Sequence, residues 1–428
     1  MHTKKSTDGK AIFAWAMYDF ANSAFTTLVI TFIYSAFFVS QIAENGIVGT
    51  SLWSNGISIS ALLIALLSPI FGAIADSGGY RKKMLLFWTY LSIIATFMLY
   101  TVLPGEPMKA ILWLIIANVA FEMGIVFNNA FLPDVAPPEK VGRISGYGWA
   151  VGYLGGLLAL FIALGFVLPA DNPFWGVTQE MGKNIRVTNI LVAVWFLVFS
   201  LPVIFWLEES KKKKTEKSQA LIKQSIKQIR ETFREVRKYR QIVRLLVARL
   251  FYNDGLLTVF TFGGVYAKET FGFTFDEIIA FGIVLNVMAG LGAFIFGYID
   301  DKVGAKNTIQ VSNVVLSIAI IVAVFAPTKF WFWIAGILVG IFSGPNQSAS
   351  RSLMARFVPL KKDSEFFGFY AFSGKATAFL GPLLLGKLTL IFASQRAGIA
   401  VLLLFFIVGG YLLMKVDVEE GIKIAKMN

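Results

Sequence analysis

Residues 72–83 read GAIADSGGYRKK, and residues 297–306 read GYIDDKVGAK. Each stretch closes an apolar run with a carboxylate, turns at a glycine and continues into basic residues. A carboxylate in this place can bind the N-terminus of a neighbouring helix or nearby cations, and the glycine permits a tight turn. The shared positions, 225 residues apart, are Gly72, Asp76, Gly79 and Arg81 in the first copy and Gly297, Asp301, Gly304 and Lys306 in the second.

A second block of residues repeats at nearly the same offset. Its positions, 226 residues apart, are Pro133, Gly142, Gly148 and Gly155 in the first copy and Pro359, Gly368, Gly374 and Gly381 in the second. Two blocks at almost one offset, each beside the corresponding apolar run, indicate two parallel repeats.

The composition is that of a membrane protein. The chain has 428 residues, 56% hydrophobic and 15% charged, whereas soluble domains have about 45–50% and about 25%. Because a spanning helix needs about 20 apolar residues, the runs predict an all-α integral membrane protein with twelve transmembrane helices in two six-helix pseudo-repeats. The predicted spans are 12–40, 52–75, 84–103, 110–132, 144–168, 188–207, 242–266, 277–299, 307–326, 330–354, 366–391 and 397–414.

The basic residues predict the topology. If both termini are cytoplasmic, the tails and even-numbered connections carry 29 of the 39 Lys and Arg, and the opposite side carries six. The positive-inside rule therefore predicts two cytoplasmic termini. The same rule accounts for the net charge of +13 without nucleic-acid binding. The first apolar run is too long for a signal-peptide core and lacks a small-residue cleavage site, so we expect it to be retained.

The predicted domains are a six-helix bundle at 1–207, a basic linker at 208–240 and a second bundle at 241–428. The linker carries twelve Lys or Arg and does not span the membrane. Its apolar residues fall on one stripe of a helix, which we expect to lie on the cytoplasmic faces or on anionic lipid; a specific protein-binding site is the alternative. The stripe is Ile222, Ile226, Ile229, Phe233 and Val236.

Motifs along nearly the whole chain resemble a known family. The turn after span two resembles the signature loop of the major facilitator superfamily, although Ser77 stands where a basic residue is usual. The other motifs are YDFANSAF at 18–25, NNAFLPD at 128–134, GWAVGYLGG at 148–156, YNDG at 252–255, GPNQSASRS at 344–352 and EFFG at 365–368. Together they resemble the vacuole-effluxer-like branch, related to the autophagy-associated permease that exports amino acids from vacuoles.

This resemblance implies the major facilitator fold, with a small solute carried between the two halves by alternating access. It implies an amino-acid-like cargo and a location in the cell membrane of a prokaryote or the vacuolar membrane of a eukaryote. Small-molecule substrate, coupling ion and lipid bilayer are the expected partners, and a monomer is expected. A drug or lipid exporter and a non-transporting receptor or scaffold are the alternatives.

Ionisable residues inside the spans are candidates for the substrate and coupling site. Each costs about 2.5–3.5 kcal/mol at mid-helix, so it needs a partner or a wet cavity. Counted from the helix ends, Asp19, Glu122, Asp254 and Lys375 lie in the inner half or near the midplane, and we expect all four to face one cavity. Alternatively, Lys375 pairs with Glu122 or Asp19 only to lock the bundle.

Polar and aromatic residues within the spans extend this candidate site. The pair Gly344-Pro345 predicts a break in span ten that turns a freed carbonyl toward the cavity, which favours Asn346, Gln347 and Arg351 as site residues. Hydrogen bonding between helices is the alternative for the amides, and ordinary packing for the aromatics. The remaining candidates are Asn22, Asn128, Asn129, Tyr18, Trp149, Tyr153 and Tyr252.

A zwitterionic cargo needs a cation for its carboxylate and an anion for its ammonium. Lys375 or Arg351 fits the first requirement, and Asp19 or Asp254 fits the second.

The coupling ion is predicted to be a proton. The only histidine, His2, precedes the first span, so a proton cycle must use a carboxyl group, and Glu122 is the first choice. Sodium, bound by Asp19, Asn22 and freed carbonyls, is the rival.

Several function classes are excluded by composition. The chain has no cysteine and one histidine, which excludes thiolate metal sites, cysteine nucleophiles and Ser-His-Asp hydrolysis. It has no nucleotide-binding glycine loop. No cofactor, metal or enzymatic activity is therefore expected. The predicted gating residues, which brace the cytoplasmic seam between the halves, are Asp76, Gly79, Arg81, Asp301, Gly304 and Lys306.

Overall fold

The computed structural model describes residues 8–168, 178–209, 228, 230–232, 234, 237–359 and 362–427. All regular secondary structure in these residues is helical. The five residues of the predicted apolar linker stripe lie outside them.

Twelve helical spans are found in the described residues, as predicted. Eleven are long and apolar enough to cross a membrane. The remaining one, span 10, has 29 residues and carries polar side chains along its second half. The bounds of spans 1 to 12 are Gly9–Ile42, Gly46–Gly78, Arg81–Leu99, Pro107–Val135, Pro138–Val167, Glu180–Trp206, Arg240–Phe271, Asp276–Val303, Ala305–Phe325, Lys329–Phe357, Asp363–Ile391 and Gln395–Met414. A short C-terminal helix, Val418–Met427, follows.

The repeat in the sequence corresponds to a repeat in packing. Span 5 packs on span 1 in the first half, and span 11 packs on span 7 in the second half. A Cβ atom at Gly155 of span 5 would overlap the carbonyl oxygen of Phe20 on span 1. A Cβ atom at Gly381, its counterpart on span 11, would overlap Thr258 on span 7. The repeated glycines therefore permit equivalent close helix pairs in the two halves.

The two halves meet closely at the end of the bundle that carries Asp76, Asp301 and the C-terminal helix, which we call the basic end. There span 2 packs on span 11, and span 5 packs on span 8. Gly72 of span 2 lies against the Ser364 carbonyl, and Gly368 of span 11 lies against the Ser68 carbonyl. Side chains at these two glycines would prevent the backbones from touching.

The discontinuous helix is span 11, and the predicted break in span 10 is wrong. Span 10 continues through Pro345, and the Ile341 carbonyl, which proline deprives of its usual donor, lies against Gly292 of span 8. Span 11 consists of two helices, Asp363–Lys375 and Leu380–Ile391, separated by a turn. A second Gly-Pro pair, 381–382, opens the later helix. Proline is tolerated in a first turn but prevents continuation of the preceding helix.

Candidate functional site

Arg351 of span 10 joins the second half to the first. Its Nη1 donates to Asp19 Oδ2 at 2.8 Å and to Asn129 Oδ1 at 3.1 Å. Its Nε donates to Ser145 Oγ at 3.0 Å, and its Nη2 donates to the Ser145 carbonyl at 2.7 Å. All three partner residues belong to the first half, and Arg351 is only 3% exposed. The guanidinium thus forms a sealed polar junction between the halves.

Aromatic rings and a glycine shape the space around this junction. The Arg351 Cζ atom lies 4.6 Å from the ring centroid of Trp15 and 5.6 Å from that of Trp149. A Cβ atom at Gly148 would lie 2.5 Å from Asp19 Oδ2 and 2.7 Å from Arg351 Nη2. Glycine at this position therefore leaves the room in which the ion pair forms.

Asn128 of span 4 positions the Asp19 carboxylate. The Nδ2 atom of Asn128 donates to Asp19 Oδ1 at 3.4 Å, and Trp15 Nε1 donates to the Asn128 carbonyl at 2.7 Å. Asn22 is buried on span 1, and its Nδ2 has no hydrogen-bond partner in the described part of the chain. Among the predicted polar site residues, the structure therefore brings together Asp19, Asn128, Asn129 and Arg351.

A second ion pair, between Glu122 of span 4 and Lys375 of span 11, also joins the halves. The Lys375 Nζ lies 2.5 Å from Glu122 Oε1, and the side chains are 26% and 18% exposed. Lys375 is the last residue of the first helix of span 11, where the negative end of the helix dipole favours a cation. Unlike the Arg351 junction, this pair borders accessible space.

Asp254 does not join these groups, so the expectation that all four ionisable residues face one cavity is wrong. Its side chain lies on span 7 and is 1% exposed. Its Oδ2 accepts a hydrogen bond from the Gly381 backbone at 3.1 Å. Because Gly381 has no side chain, the second helix of span 11 lies directly over the carboxylate and covers it.

The two amide side chains of span 10, Asn346 and Gln347, have different surroundings. Asn346 Nδ2 donates to Asn313 Oδ1 of span 9 at 2.8 Å, and Asn346 is 1% exposed. It binds two helices of the second half together, which agrees with the alternative of hydrogen bonding between helices. Gln347 is half-buried. Two of the candidate tyrosines are buried in the helix packing. The Tyr18 hydroxyl forms a hydrogen bond with the Thr89 hydroxyl at 2.9 Å, and the Tyr252 hydroxyl forms one with the Ser350 hydroxyl at 2.8 Å.

Asp76 caps a helix of the opposite half at the basic end. Its Oδ1 accepts from the Ser364 backbone at 3.2 Å and its Oδ2 from the Glu365 backbone at 2.8 Å. These N–H groups belong to the first turn of span 11, where a carboxylate is favoured. Gly79 ends span 2 with φ of 65°, a left-handed conformation that glycine adopts readily.

Arg81 extends this contact on the same side. It is 4% exposed, and its Nη2 lies 2.8 Å from Asp134 Oδ2 at the end of span 4. Its Nη1 lies 3.7 Å from Asp363 Oδ2 of span 11. The spacing of the loop therefore places one cation between acids of both halves.

The second copy of the loop braces the other seam. Asp301 Oδ1 accepts from the Gly142 backbone at 2.9 Å, and its Oδ2 accepts from Arg143 Nε at 2.6 Å. Both partners lie in span 5 of the first half. Gly304 links spans 8 and 9 with φ of 89°.

Lys306 does not brace the seam between the halves, contrary to the prediction. It donates to the carbonyls of Met414 and Val416 in its own half, at 3.0 and 2.7 Å. In the first half the equivalent contact is made by Lys82, which donates to the Ile204 carbonyl at 2.8 Å. The sequence repeat aligns Lys306 with Arg81, but by its contacts Lys306 is equivalent to Lys82, one residue later.

Ser145 is a junction residue that the sequence analysis did not select. It lies almost one helical turn before Gly148, so both residues belong to the same face of span 5. Besides accepting from Arg351, its hydroxyl donates to the Ser348 carbonyl of span 10 at 2.7 Å. Its spacing of three residues from Gly148 is the feature of the sequence that could have identified Ser145 as a site residue.

Comparison with known proteins identifies the family. The family described as "Vacuole effluxer Atg22 like" matches residues 39–141 and 137–426. The chain belongs to this Atg22-like family. It is 28% identical over 416 residues to the uncharacterized MFS-type transporter YxiO of Bacillus subtilis strain 168, covering 96% of each chain. It is 24% identical over 400 residues to Autophagy-related protein 22 of Kluyveromyces lactis, covering 85% of this chain and 79% of the relative.

Solved structures show the same fold. FucP, a major facilitator superfamily transporter crystallised in the outward conformation, superposes with a TM-score of 0.72 at 13% identity, over 95% of this chain and 98% of FucP. The predicted family and the predicted major facilitator fold are confirmed. This Atg22-like protein is a multi-pass integral membrane transporter of the major facilitator type.

The linker of this Atg22-like transporter contacts the seam between spans 2 and 11. Ser77 Oγ donates to Gln228 Oε1 at 2.7 Å, and Gln228 Nε2 donates to Glu365 Oε2 at 2.5 Å. Four residues on, Thr232 accepts from Lys362 Nζ at 3.0 Å. Ser77, which stands where a basic residue is usual, is therefore one contact of the linker with the first half.

Proposed function

We propose that this Atg22-like protein is a secondary active transporter that carries a small, amino-acid-like solute together with a proton. Its two halves alternate between inward- and outward-facing arrangements. The observation that supports this most strongly is the Arg351 junction, because a buried pair that bridges two repeats is made in one arrangement and broken in the other. Separating the pair gives up its charge-assisted hydrogen bonds, so opening requires compensating binding energy.

In this proposal the observed arrangement is the outward-facing one. The halves are in close contact at the basic end, which we assign to the cytoplasm because 29 of the 39 Lys and Arg lie there or in the linker and tails. Toward the opposite end, the second helix of span 11 packs on spans 7 and 12 of its own half. Near that end Ile47 of span 2 is 87% exposed and Leu390 of span 11 is 83% exposed.

The pair of Glu122 and Lys375 offers a site for the solute. It is partly exposed and lies between the halves, whereas Arg351 and Asp19 are sealed. A solute carboxylate that binds Lys375 takes the place of Glu122. Glu122 then loses its cation inside the membrane, and a proton compensates its charge. Solute and proton are thereby bound together, which is the basis of cotransport.

Uptake by proteoliposomes tests this proposal. Liposomes that contain the purified protein are given a labelled amino-acid mixture under a pH gradient alone, a sodium gradient alone or no gradient. We expect accumulation under the pH gradient only. Accumulation that follows sodium would overturn proton coupling, whereas transport of amphiphiles without amino acids would indicate a drug or lipid exporter. Absence of flux for every solute would favour a receptor or scaffold.

A further inference from the structure

Span 11 bends at a defined place, between Lys375 and Leu380. Its first helix belongs to the closed seam at the basic end, whereas its second helix packs within its own half. Span 7 contacts the chain on both sides of the bend. Asn253 Nδ2 donates to the Gly374 carbonyl at 3.4 Å, and the Asp254 carboxylate accepts from Gly381 at 3.1 Å. The hydrogen bond to the Asp254 carboxylate therefore ties the start of the second helix to span 7, and Thr377 in the turn donates to the Leu250 carbonyl of span 7 at 3.2 Å.

This carboxylate has an unpartnered oxygen. Asp254 is 1% exposed, and in the described residues its Oδ1 has no hydrogen-bond partner. An ionised carboxylate in such surroundings is costly unless it is fully hydrogen-bonded or paired. The single N–H of Gly381 and the helix N-terminus supply only part of that compensation.

The cations and hydroxyl groups near Asp254 are bound elsewhere. On span 7, Arg249 Nη1 donates to the Tyr370 carbonyl and to Ser373 Oγ, and the Tyr252 hydroxyl bonds Ser350. On the helices packed against span 7, Lys375 pairs with Glu122 and Arg351 pairs with Asp19. Lys387, farther along span 11, is exposed. Span 12 contributes the apolar Phe405 and Phe406 beside Gly255.

We propose that Asp254 is a proton-binding site that controls the bend in span 11. The proton comes from water on the outer side and binds a carboxylate oxygen, forming one O–H bond and leaving a neutral acid. The contact with Gly381 then changes from a charge-assisted hydrogen bond to a neutral one, which is roughly half as strong. The second helix of span 11 is released and closes over the cavity. The proton returns to the outer side when the cavity reopens there, so Asp254 carries no proton across the membrane.

A proton fits this site better than a metal cation does. The Gly381 N–H points at the carboxylate, and the N-terminus of a twelve-residue helix lies beside it. Both place positive charge where a metal ion would bind. The nearby Thr258 hydroxyl donates to the Asp254 carbonyl at 2.8 Å.

Infrared spectroscopy of the full-length protein in lipid bilayers tests the proton site without any transport measurement. The C=O band of a protonated carboxylic acid is followed in H₂O and D₂O as the pH is lowered. We expect a titrating band that is retained in Glu122→Gln, lost in Asp254→Asn and shifted in Asp254→Glu. A band unchanged by both Asp254 variants, or the absence of any such band, would overturn the proposal. If Asp254→Asn does not fold, the shifted band of Asp254→Glu tests the proton site instead.

The effect on the bend is measured as a distance between spin labels at Ile47→Cys and Leu390→Cys in this cysteine-free chain. We expect acidification to shift the wild-type distances toward shorter values, and Asp254→Asn to give the short distances at every pH. A distance distribution in Asp254→Asn that still responds to pH as the wild type does would contradict control by Asp254. This role in the cycle rests on the proposed transport function. A correct infrared and distance response without flux of any solute would refute only the transport function.

Discussion

The Asp19 carboxylate and the Arg351 guanidinium lie 2.8 Å apart although 332 residues separate them in the chain. Each belongs to a different half, and each is held by further partners of the first half, Asn128 for the carboxylate and Ser145 for the guanidinium. We expect this contact to persist only while the basic end of the molecule is closed.

Loss of the junction is expected to favour opening at the basic end. In Arg351→Gln the amide cannot replace the four hydrogen bonds of the guanidinium, and Asp19 is left as an unpaired buried charge. We expect a shift of about 3–5 kcal/mol toward the inward-facing arrangement, and flux reduced by at least roughly tenfold. Thiol labelling of cysteines introduced at the basic end measures the shift. Lys387→Gln, at an exposed position of span 11, is the control and should label as the parent does.

Gly148 tests the same junction by steric means. In Gly148→Ala the new methyl group meets Asp19, Arg351 and Trp15 at 2.5, 2.7 and 2.8 Å, and we expect overpacking to cost about 1–3 kcal/mol. The matched control is Gly165→Ala on the same span, where a Cβ atom has no neighbour within 4 Å. Thermal unfolding in detergent should show a lower midpoint for the first variant only. Equal midpoints would mean that the junction tolerates the extra volume.

Asp76 is expected to stabilise the closed seam. Asp76→Asn removes the charge that accepts from two backbone N–H groups of span 11, and hydrogen bonds to charged groups contribute about 1.5–3 kcal/mol each. Labelling of cysteines at the basic end should increase while expression is retained. Asp276→Asn, an exposed position in the first turn of span 8, should leave labelling unchanged. Equal labelling in the two variants would argue against a gating role for Asp76.

The linker is expected to hold the same seam through Gln228. Gln228→Ala removes the bonds to Ser77 and Glu365, each contributing about 0.5–1.5 kcal/mol. Opening at the basic end should become easier by about 5- to 150-fold in the equilibrium between the arrangements. Arg230→Ala, an exposed linker position two residues away, is the control. Hydrogen exchange of the first turn of span 11 measures the effect, and identical exchange in both variants would refute it.

The spans and the repeat were predictable because both depend on properties that a sequence carries directly. Apolar length determines which segments cross a membrane, and the glycines at equivalent positions of spans 5 and 11 mark places where helices approach closely. Asp76 was predictable as a helix cap because the carboxylate and the glycine turn are contiguous. The contacts of Asp301 follow from the same pattern.

The pairing of deep polar residues was less predictable, because it depends on the rotation of each helix about its axis. Asp254 lies on span 7 as expected, yet Gly381 covers it. Two Gly-Pro pairs were present, and only the one at 381–382 starts a new helix; the proline at 345 is accommodated by packing of span 8 around the freed carbonyl. Neighbouring helices decide between these outcomes.

Glu122 is the residue on which the proposed coupling depends. Glu122→Gln keeps the size and hydrogen bonding of the side chain but cannot cycle between charged and neutral forms. Because Lys375 keeps its charge, the variant retains a cation for the solute carboxylate and should still exchange solute down a concentration gradient.

Accumulation of the eventual substrate in proteoliposomes under a pH gradient, compared between the parent and Glu122→Gln, tests the central claim most directly. With the membrane potential held at zero and one proton carried per solute, the parent should accumulate substrate about tenfold per unit of pH gradient. Glu122→Gln should reach only equal concentrations on the two sides while retaining exchange. Undiminished accumulation in Glu122→Gln would contradict the account.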